Sequence, residues 1–221
     1  MTLVISLGGS VINPGKIDTC FVKRFKELVL WAAKKERVII VCGGGRVCRD
    51  YRDALSPFNQ DPPELDRMGI YATYLNAFYI KSVFKDKAYP KILTEPFKVK
   101  TRKRIIVAGG WKPGWSTDYD AVHLAAEYGA KQVLNLSNIK YLYDKDPSKH
   151  KGAKAIKSIS WDGYLDIIGR KWKPGMHAPF DPVASKLAKR KSISVVLMDG
   201  RDLANVKNYL LMKKYSGTII N

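Results

Sequence analysis

Glycine-bearing turns follow three apolar runs in this chain, and they are its main chemical signal. The turns span residues 8–10, 43–45 and 109–118, and the apolar runs before them are residues 3–7, 38–42 and 105–108. Glycine lets a backbone approach a ligand closely and adopt positive φ. A strand that feeds such a turn and then a helix points free N–H groups at an anion. Three such turns in one parallel sheet predict an edge with phosphate sites, as an enzyme needs to transfer a phosphoryl group from donor to acceptor.

Strand-like and helix-like segments alternate around these turns. Further strands are predicted at residues 132–136 and 194–198, an edge strand at 218–220, and helices at about 18–35, 46–55, 64–84, 121–128 and 202–212. Thr117 and Asp120 fit a capping box at the start of one helix. The alternation predicts an α/β fold with a mainly parallel sheet, in which ligands bind beyond the carboxyl ends of the strands. We expect one domain over residues 1–221.

Composition limits the class of protein. The 46% hydrophobic content supports a sizeable core, and no apolar run reaches about 18 residues, so we expect neither a membrane span nor a signal peptide. Cys20, Cys42 and Cys48 form no CxxC pair, which fits a reducing cytosol. The 39 basic and 20 acidic residues give a net charge of +19. Such a field attracts nucleic acid or anionic metabolites, although the charges are dispersed along the chain.

The common nucleotide-binding motifs are absent. The sequence has no G-x-x-x-x-G-K-[ST] loop, no G-x-G-x-x-G after its first strand and no HRD or DFG signature. A P-loop kinase is therefore excluded, and a Rossmann dehydrogenase is disfavoured. The signatures of protein kinases are missing too.

The glycine turns instead resemble those of the amino acid kinase family, and within it the archaeal uridylate kinases. The resemblance rests on residues 7–10, 43–51 and 109–118, and on the shorter segments 66–70, 136–138 with 143–147, and 181–186, which keep their order along nearly the whole chain. It implies an αβα sandwich around a mainly parallel sheet and a homo-oligomer, usually a hexamer. It also implies Mg²⁺- and ATP-dependent conversion of UMP to UDP in cytoplasmic pyrimidine supply.

The resemblance also implies roles for individual residues. To ATP it assigns Gly8, Gly9, Ser10, Gly45, Arg49, Ser137, Asn138, Tyr143 and Asp146. To UMP it assigns Gly44, Asp66, Gly110, Trp111, Lys112, Pro113, Gly114, Trp115, Ser116, Thr117 and Asp118. As catalytic groups it marks Asp181, Lys186 and Arg49, and it implies no metal held by protein ligands alone.

Each charged candidate also has an ordinary structural alternative. Arg49 either grips phosphate with its planar fork or pairs with Asp50 or Asp53 on the surface. Asp66 binds ribose hydroxyls or only favours a helix N-terminus. Asp118 binds the acceptor, caps a helix with Thr117, or does both.

The same choice applies to the last segment of the resemblance. Asp181 organises lysines or Mg²⁺, or it caps a helix that has Pro182 in its first turn. Lys186 neutralises developing charge in the transition state, or it faces solvent.

The chain departs from the family pattern at two places. Ser6 stands where many relatives have a lysine that binds the donor phosphates, and Lys140 and Tyr141 replace an acid and a glycine. Two rival functions follow. One is a kinase for another small phosphate such as isopentenyl phosphate, and the other is a non-catalytic nucleotide sensor or nucleic-acid-binding protein on the same fold. Nucleic acid is thus a less favoured partner that charge alone leaves open.

Overall fold

A computed structural model describes residues 1–145, 147, 149–169 and 178–221. Its main sheet has seven strands in the order β3-β2-β1-β4-β8-β9-β7. These strands are β1 (Thr2–Leu7), β2 (Arg37–Cys42), β3 (Ile105–Ala108), β4 (Gln132–Ser137), β7 (Ser158–Ile159), β8 (Ser194–Asp199) and β9 (Thr218–Ile220). A two-stranded hairpin pairs β5 (Leu142–Tyr143) with β6 (Ala155–Ile156).

Five neighbouring strands run parallel, in the order β3, β2, β1, β4 and β8. Their carboxyl ends therefore meet at one edge, and the three glycine turns lie side by side there because β3, β2 and β1 are adjacent. β9 is antiparallel to β8, and β7 pairs parallel with β9. The expected α/β fold is confirmed.

Eight helices of the described chain flank the sheet. They are α1 (Gly9–Ile12), α2 (Thr19–Ala32), α3 (Gly45–Leu55), α4 (Pro62–Phe84), α5 (Thr117–Glu127), α6 (Trp161–Ile168), α7 (Pro182–Lys191) and α8 (Leu203–Leu210). Residues of α2, α4 and α8 pack in the core on one side of the sheet, and residues of α5, α6 and α7 pack in the core on the other. Alternate residues of each strand serve the two cores, as with Val4 and Ile5. This is the expected three-layer αβα sandwich.

Four local predictions need correction. The cap of α5 is Ser116, whose Oγ accepts the Tyr119 N–H, whereas Asp120 of the predicted box turns away. A one-turn helix, α1, covers Gly9–Ile12, where no helix was predicted, and α2 ends at Ala32 rather than at residue 35. β9 is not the edge strand, because β7 pairs with its outer side.

Among the described residues, no helix is long and apolar enough to cross a bilayer.

Candidate active site

The first two glycine turns are in direct backbone contact. A Cβ on Gly9 would lie 2.3 Å from Gly45 N and 2.5 Å from Gly43 O. A Cβ on Gly45 would lie 2.4 Å from Gly9 C, and Gly45 also has a φ of 63°. Both positions therefore require glycine, for space in one case and for space and conformation in the other. The turns after β1 and β2 form one rigid backbone unit at the carboxyl edge.

Helix α4 supports this unit from the side. Its buried Asn76 donates from Nδ2 to Gly43 O at 2.8 Å and to Gly44 O at 3.2 Å. A buried amide needs such partners, since an unpaired polar group is costly in the core. The sequence carries a signal for this contact, because Asn76 and Thr73 are polar residues three apart on a side of α4 whose other buried residues are apolar.

Side chains, rather than packed backbone, hold most of the third turn. Thr73 Oγ1 accepts the Gly110 N–H at 2.7 Å, Asp120 Oδ2 accepts the Trp111 N–H at 3.0 Å, and Asp66 Oδ2 accepts the Gly114 N–H at 2.9 Å. Asp66 also lies 3.8 Å from Arg52 Nη2. Its carboxylate thus shapes the turn directly, which was neither of the two roles considered for Asp66 from the sequence.

Asp120 is buried in the wall behind this turn. Only 1% of its surface is exposed, and its Oδ1 has no hydrogen-bond partner in the described structure. Burial raises the pKa of Asp120 to about 7, the N–H of Trp111 lowers it, and the charge of Asp118 raises it. Asp120 is therefore protonated at a much higher pH than an exposed aspartate would be.

Asp118 joins three elements below the turns. Its Oδ1 accepts hydrogen bonds from Ser6 Oγ and Asn135 Nδ2, both at 3.1 Å, and its Oδ2 accepts the Asp181 N–H at 3.2 Å. Burial raises the pKa of Asp118 to about 7, with a further contribution from the Asp181 carboxylate, whereas the bonds from Asp181 N–H and Ser6 lower it. Asp118 therefore links β1, β4 and the start of α7, and does not cap α5.

Asp181 does cap a helix. Its Oδ1 accepts the N–H groups of Val183 and Ala184, and Pro182 occupies the first position of α7. Its contact with Asp118 places this N-cap at the carboxyl edge beside the glycine turns. Lys186, later in α7, is exposed, and its side chain forms no hydrogen bond or ion pair in the described part of the chain. The cap alternative for Asp181 thus holds in the structure, and it leaves the second carboxylate oxygen for other contacts.

Two arginines reach the first turn from opposite sides. Arg49 donates from Nη2 to Ser10 Oγ, and Arg201, just after β8, donates from Nη2 to Ser10 O, each at 3.4 Å. The surface pair of α3 is Arg46 with Asp50, so Arg49 is not engaged as the ion-pair alternative supposed. Sequence reasoning missed Arg201, because only the sheet order brings the end of β8 close to Ser10.

Aromatic rings cover the outside of the third turn. Trp111 and Trp115 stack with ring centroids 6.4 Å apart, and the ring centroids of Trp115 and Tyr119 are 3.9 Å apart. Phe97 contacts Trp111 edge-on, and Lys112 Nζ lies 4.1 Å from the centre of the Trp111 ring. The turn therefore combines polar groups at Ser116 and Thr117 with a broad π surface. Pro113 and the positive-φ Gly114, with a φ of 85°, form its tip.

The predicted nucleobase residues lie on the other side of the first turn. Gly8 N donates to Leu136 O, which brings Ser137 next to the turn, and Ser137 Oγ accepts the Ile139 N–H. Asn138 is exposed and Tyr143 lies in the β5–β6 hairpin, where its ring meets Tyr141 edge-on. Asp146 lies outside the described residues.

Glycine turns, cations and carboxylates thus meet at the carboxyl edge of the parallel strands, which defines a candidate phosphotransferase site.

The model of the amino acid kinase family matches residues 1–199. A uridylate kinase of Methanospirillum hungatei JF-1 is 33% identical over 99% of this chain and 94% of its own length. Another, from Pyrococcus abyssi, is 30% identical over 100% and 99%. The crystal structure of the uridylate kinase from Archaeoglobus fulgidus matches with a TM-score of 0.87, at 27% identity and full coverage of both chains. The chain belongs to the amino acid kinase family.

Proposed function

We propose that this protein is a kinase that transfers the γ-phosphoryl group of ATP to UMP and releases UDP and ADP. The observation that carries the proposal is the meeting of all three glycine turns at the carboxyl edge, with two arginines on one turn and a polar, aromatic turn opposite. Relatives described as uridylate kinases match over nearly their whole length, which supports the choice of acceptor.

The donor would bind at the interlocked turns of β1 and β2. The free N–H groups of Gly9, Ser10 and Gly45 would hold phosphate oxygens, and Arg49 would neutralise their charge. Arg201 is the natural substitute for the missing first-strand lysine, because it already reaches Ser10 while Ser6 is committed to Asp118. Gly8, Ser137, Asn138, Tyr143 and Asp146 remain the residues proposed for the rest of ATP.

The acceptor would bind between the second and third turns. Gly44 and the third turn would border this space, and Asp66 keeps the tip of the turn in place. Trp111 or Trp115 offers a ring face on which a pyrimidine can stack. Lys112, Pro113, Gly114, Ser116 and Thr117 complete the proposed acceptor turn. Asp118 supports it from below through its contacts with Ser6 and Asp181.

Transfer needs in-line alignment and charge neutralisation rather than a covalent intermediate. A phosphate oxygen of UMP would attack the γ-phosphorus, and the bond to the bridging oxygen of ADP would break. Mg²⁺ would supply charge neutralisation on the phosphates. The described residues contain no group of three acidic, His or Cys side chains for it, but Asp181 keeps one carboxylate oxygen outside its cap, which fits a metal held mainly by phosphates. Lys186 would balance charge near the same point.

The decisive experiment measures ADP release with ATP, Mg²⁺ and a panel of acceptors: UMP, CMP, AMP, GMP and isopentenyl phosphate. We expect a strong preference for UMP. The aromatic surface of the third turn makes isopentenyl phosphate the second candidate. Turnover of isopentenyl phosphate in place of UMP would change the proposed acceptor but keep the proposed phosphoryl transfer. Absence of turnover with every acceptor, from folded protein that still binds ATP, would favour the nucleotide-sensor alternative.

The catalytic assignment has its own test. Asp181→Asn keeps a side-chain oxygen for the α7 cap but removes the charge, so we expect a loss of kcat with an unchanged melting temperature. Full activity in this variant would remove Asp181 from the mechanism.

We also propose that the protein acts as a homo-oligomer, hexameric by resemblance, in the cytoplasm and in pyrimidine nucleotide supply. An exposed stripe on α4, formed by Tyr71, Leu75 and Phe78, supports self-association, since such apolar surface is typical of an interface. The free cysteines fit a reducing compartment. Light scattering of the purified protein tests the assembly.

A further inference from the structure

The positive charge of this chain is unevenly placed. In the turns of the candidate site, at residues 8–15, 43–53, 64–67, 109–120, 181–186 and 199–202, seven basic residues face nine acidic ones. Binding of ATP and UMP at these turns therefore does not account for the net charge of +19. The surplus lies elsewhere in the molecule.

The opposite edge of the sheet carries much of that surplus. We define the amino-edge face as residues 34–37, 85–87, 100–104, 127, 131, 162 and 189–191, which hold thirteen basic residues and four acidic ones, a net charge of +9. Twelve of the thirteen basic side chains are exposed, the exception being the half-buried Arg37. The four acids are Glu36, Asp86, Glu127 and Asp162, the last of which pairs with Lys189.

Contacts and strand order together place these segments on one surface. Arg104 Nη1 donates to the carbonyl oxygens of Ala33 and Lys34, and Lys103 Nζ donates to Asp86 O. Ser194 N donates to Lys131 O, which ties the start of β8 to the residue before β4. Segments distant in sequence therefore lie together because β3, β2, β4 and β8 begin at the same edge.

Fold stability alone does not require this charge. Lys189, Arg190 and Lys191 suit the last turn of α7, where cations complement the helix dipole. Arg104 likewise donates to carbonyls at the end of α2. Lys100, Arg102 and Lys131 precede strands, however, and lie at no helix end. Like charges gathered on one exposed surface repel one another. A ligand with many negative charges would relieve that repulsion.

We propose that the amino-edge face binds a nucleic-acid strand through its phosphates, away from the kinase site. Five parallel strands span about 19 Å at roughly 4.8 Å per step, which matches the width over which a duplex or several nucleotides present phosphates. None of the exposed large hydrophobic side chains falls in the described segments of this face, so the apolar contact that strengthens membrane binding is missing. The face reads backbone charge and not base sequence.

Fluorescence anisotropy with a labelled 20-nucleotide RNA and a labelled 20-base-pair DNA tests this proposal, with excess ATP and UMP present to fill the kinase site. Neutralisation of about six phosphates predicts that log K falls with log salt with a slope of roughly −5 for the duplex and roughly −4 for the single strand. The stronger of the two probes identifies the preferred strand form.

The variant Lys34→Gln, Lys35→Gln, Arg190→Gln, Lys191→Gln removes four exposed charges that form no ion pair among the described residues. We expect at least about a tenfold weaker affinity at 0.1 M salt, a shallower salt slope and unchanged kinase activity. The matched control changes Lys16, Lys23, Arg24 and Lys151, which are exposed and lie off this face, to Gln. Equal losses in both variants, no binding of either probe while ATP and UMP are in excess, or binding to phosphatidylserine vesicles but to neither probe would overturn the proposal.

Discussion

The proposed donor and acceptor ends of the candidate site are built in different ways. The turns after β1 and β2 are locked by backbone against backbone, with Gly9 and Gly45 closer than any Cβ would permit. The turn after β3 is held by the side chains of Asp66, Thr73 and Asp120. A backbone lock fits a triphosphate that is the same in every reaction cycle. A side-chain frame can change by substitution, which would suit an end that selects the acceptor.

The largest effect is expected at the backbone lock. Gly9→Ala would place a Cβ 2.3 Å from Gly45 N, so the two turns must separate. A displacement of about 1 Å costs on the order of 100-fold in rate, and overpacking costs about 1–3 kcal/mol of stability. Steady-state kinetics should show a loss at least that large, and thermal melting should show a lower Tm.

Gly152→Ala is the matched control, because an added Cβ there meets no atom within 4 Å. It should keep wild-type activity and stability. A Gly9→Ala enzyme with wild-type kcat would show that the donor end tolerates movement, and the contrast between the two ends would fail.

The acceptor frame should depend on pH through Asp120. Its pKa of about 7 in the folded protein exceeds its usual value of 3.8, so the folded state binds more protons between these pH values. Stability should therefore fall as pH rises from about 4 to 7, by up to about 1.4 kcal/mol per pH unit for this group. Asp120→Asn should flatten that slope while still accepting the Trp111 N–H. Urea unfolding at several pH values measures it.

An unchanged slope in Asp120→Asn would assign the pH dependence to another group, with Asp118 as the first candidate because its pKa is also about 7. The double variant of both aspartates to Asn then separates their contributions.

Thr73 gives a smaller and more local test of the frame. Thr73→Val removes the acceptor of the buried Gly110 N–H, which costs about 1–3 kcal/mol, and should raise KM for the acceptor while leaving KM for ATP unchanged. Thr73→Ser keeps the hydroxyl and should behave as wild type. Equal changes in both KM values would mean that the two ends are mechanically coupled.

Local signals in the sequence predicted the sheet and the three turns, because alternating apolar runs and glycine positions depend on neighbours along the chain. They did not predict which side chains meet across the fold. Asp120 was assigned to a helix cap, yet it serves the third turn, and Asp118 faces Ser6, Asn135 and Asp181. Such contacts depend on strand order, which adjacent residues do not encode. For the same reason Arg201 was missed.

The smallest effects are expected from the cations at Ser10. Arg49 and Arg201 both reach this residue from exposed positions, so solvent screens each of them and a single loss should cost up to about 1 kcal/mol, or roughly fivefold in KM for ATP. Because both groups would neutralise the same phosphates, Arg49→Ala and Arg201→Ala should combine non-additively. A double-mutant cycle on KM for ATP measures this coupling, with KM for UMP as the internal control. Simple additivity would mean that the two arginines bind separate parts of the donor, and the missing first-strand lysine would then have a single replacement.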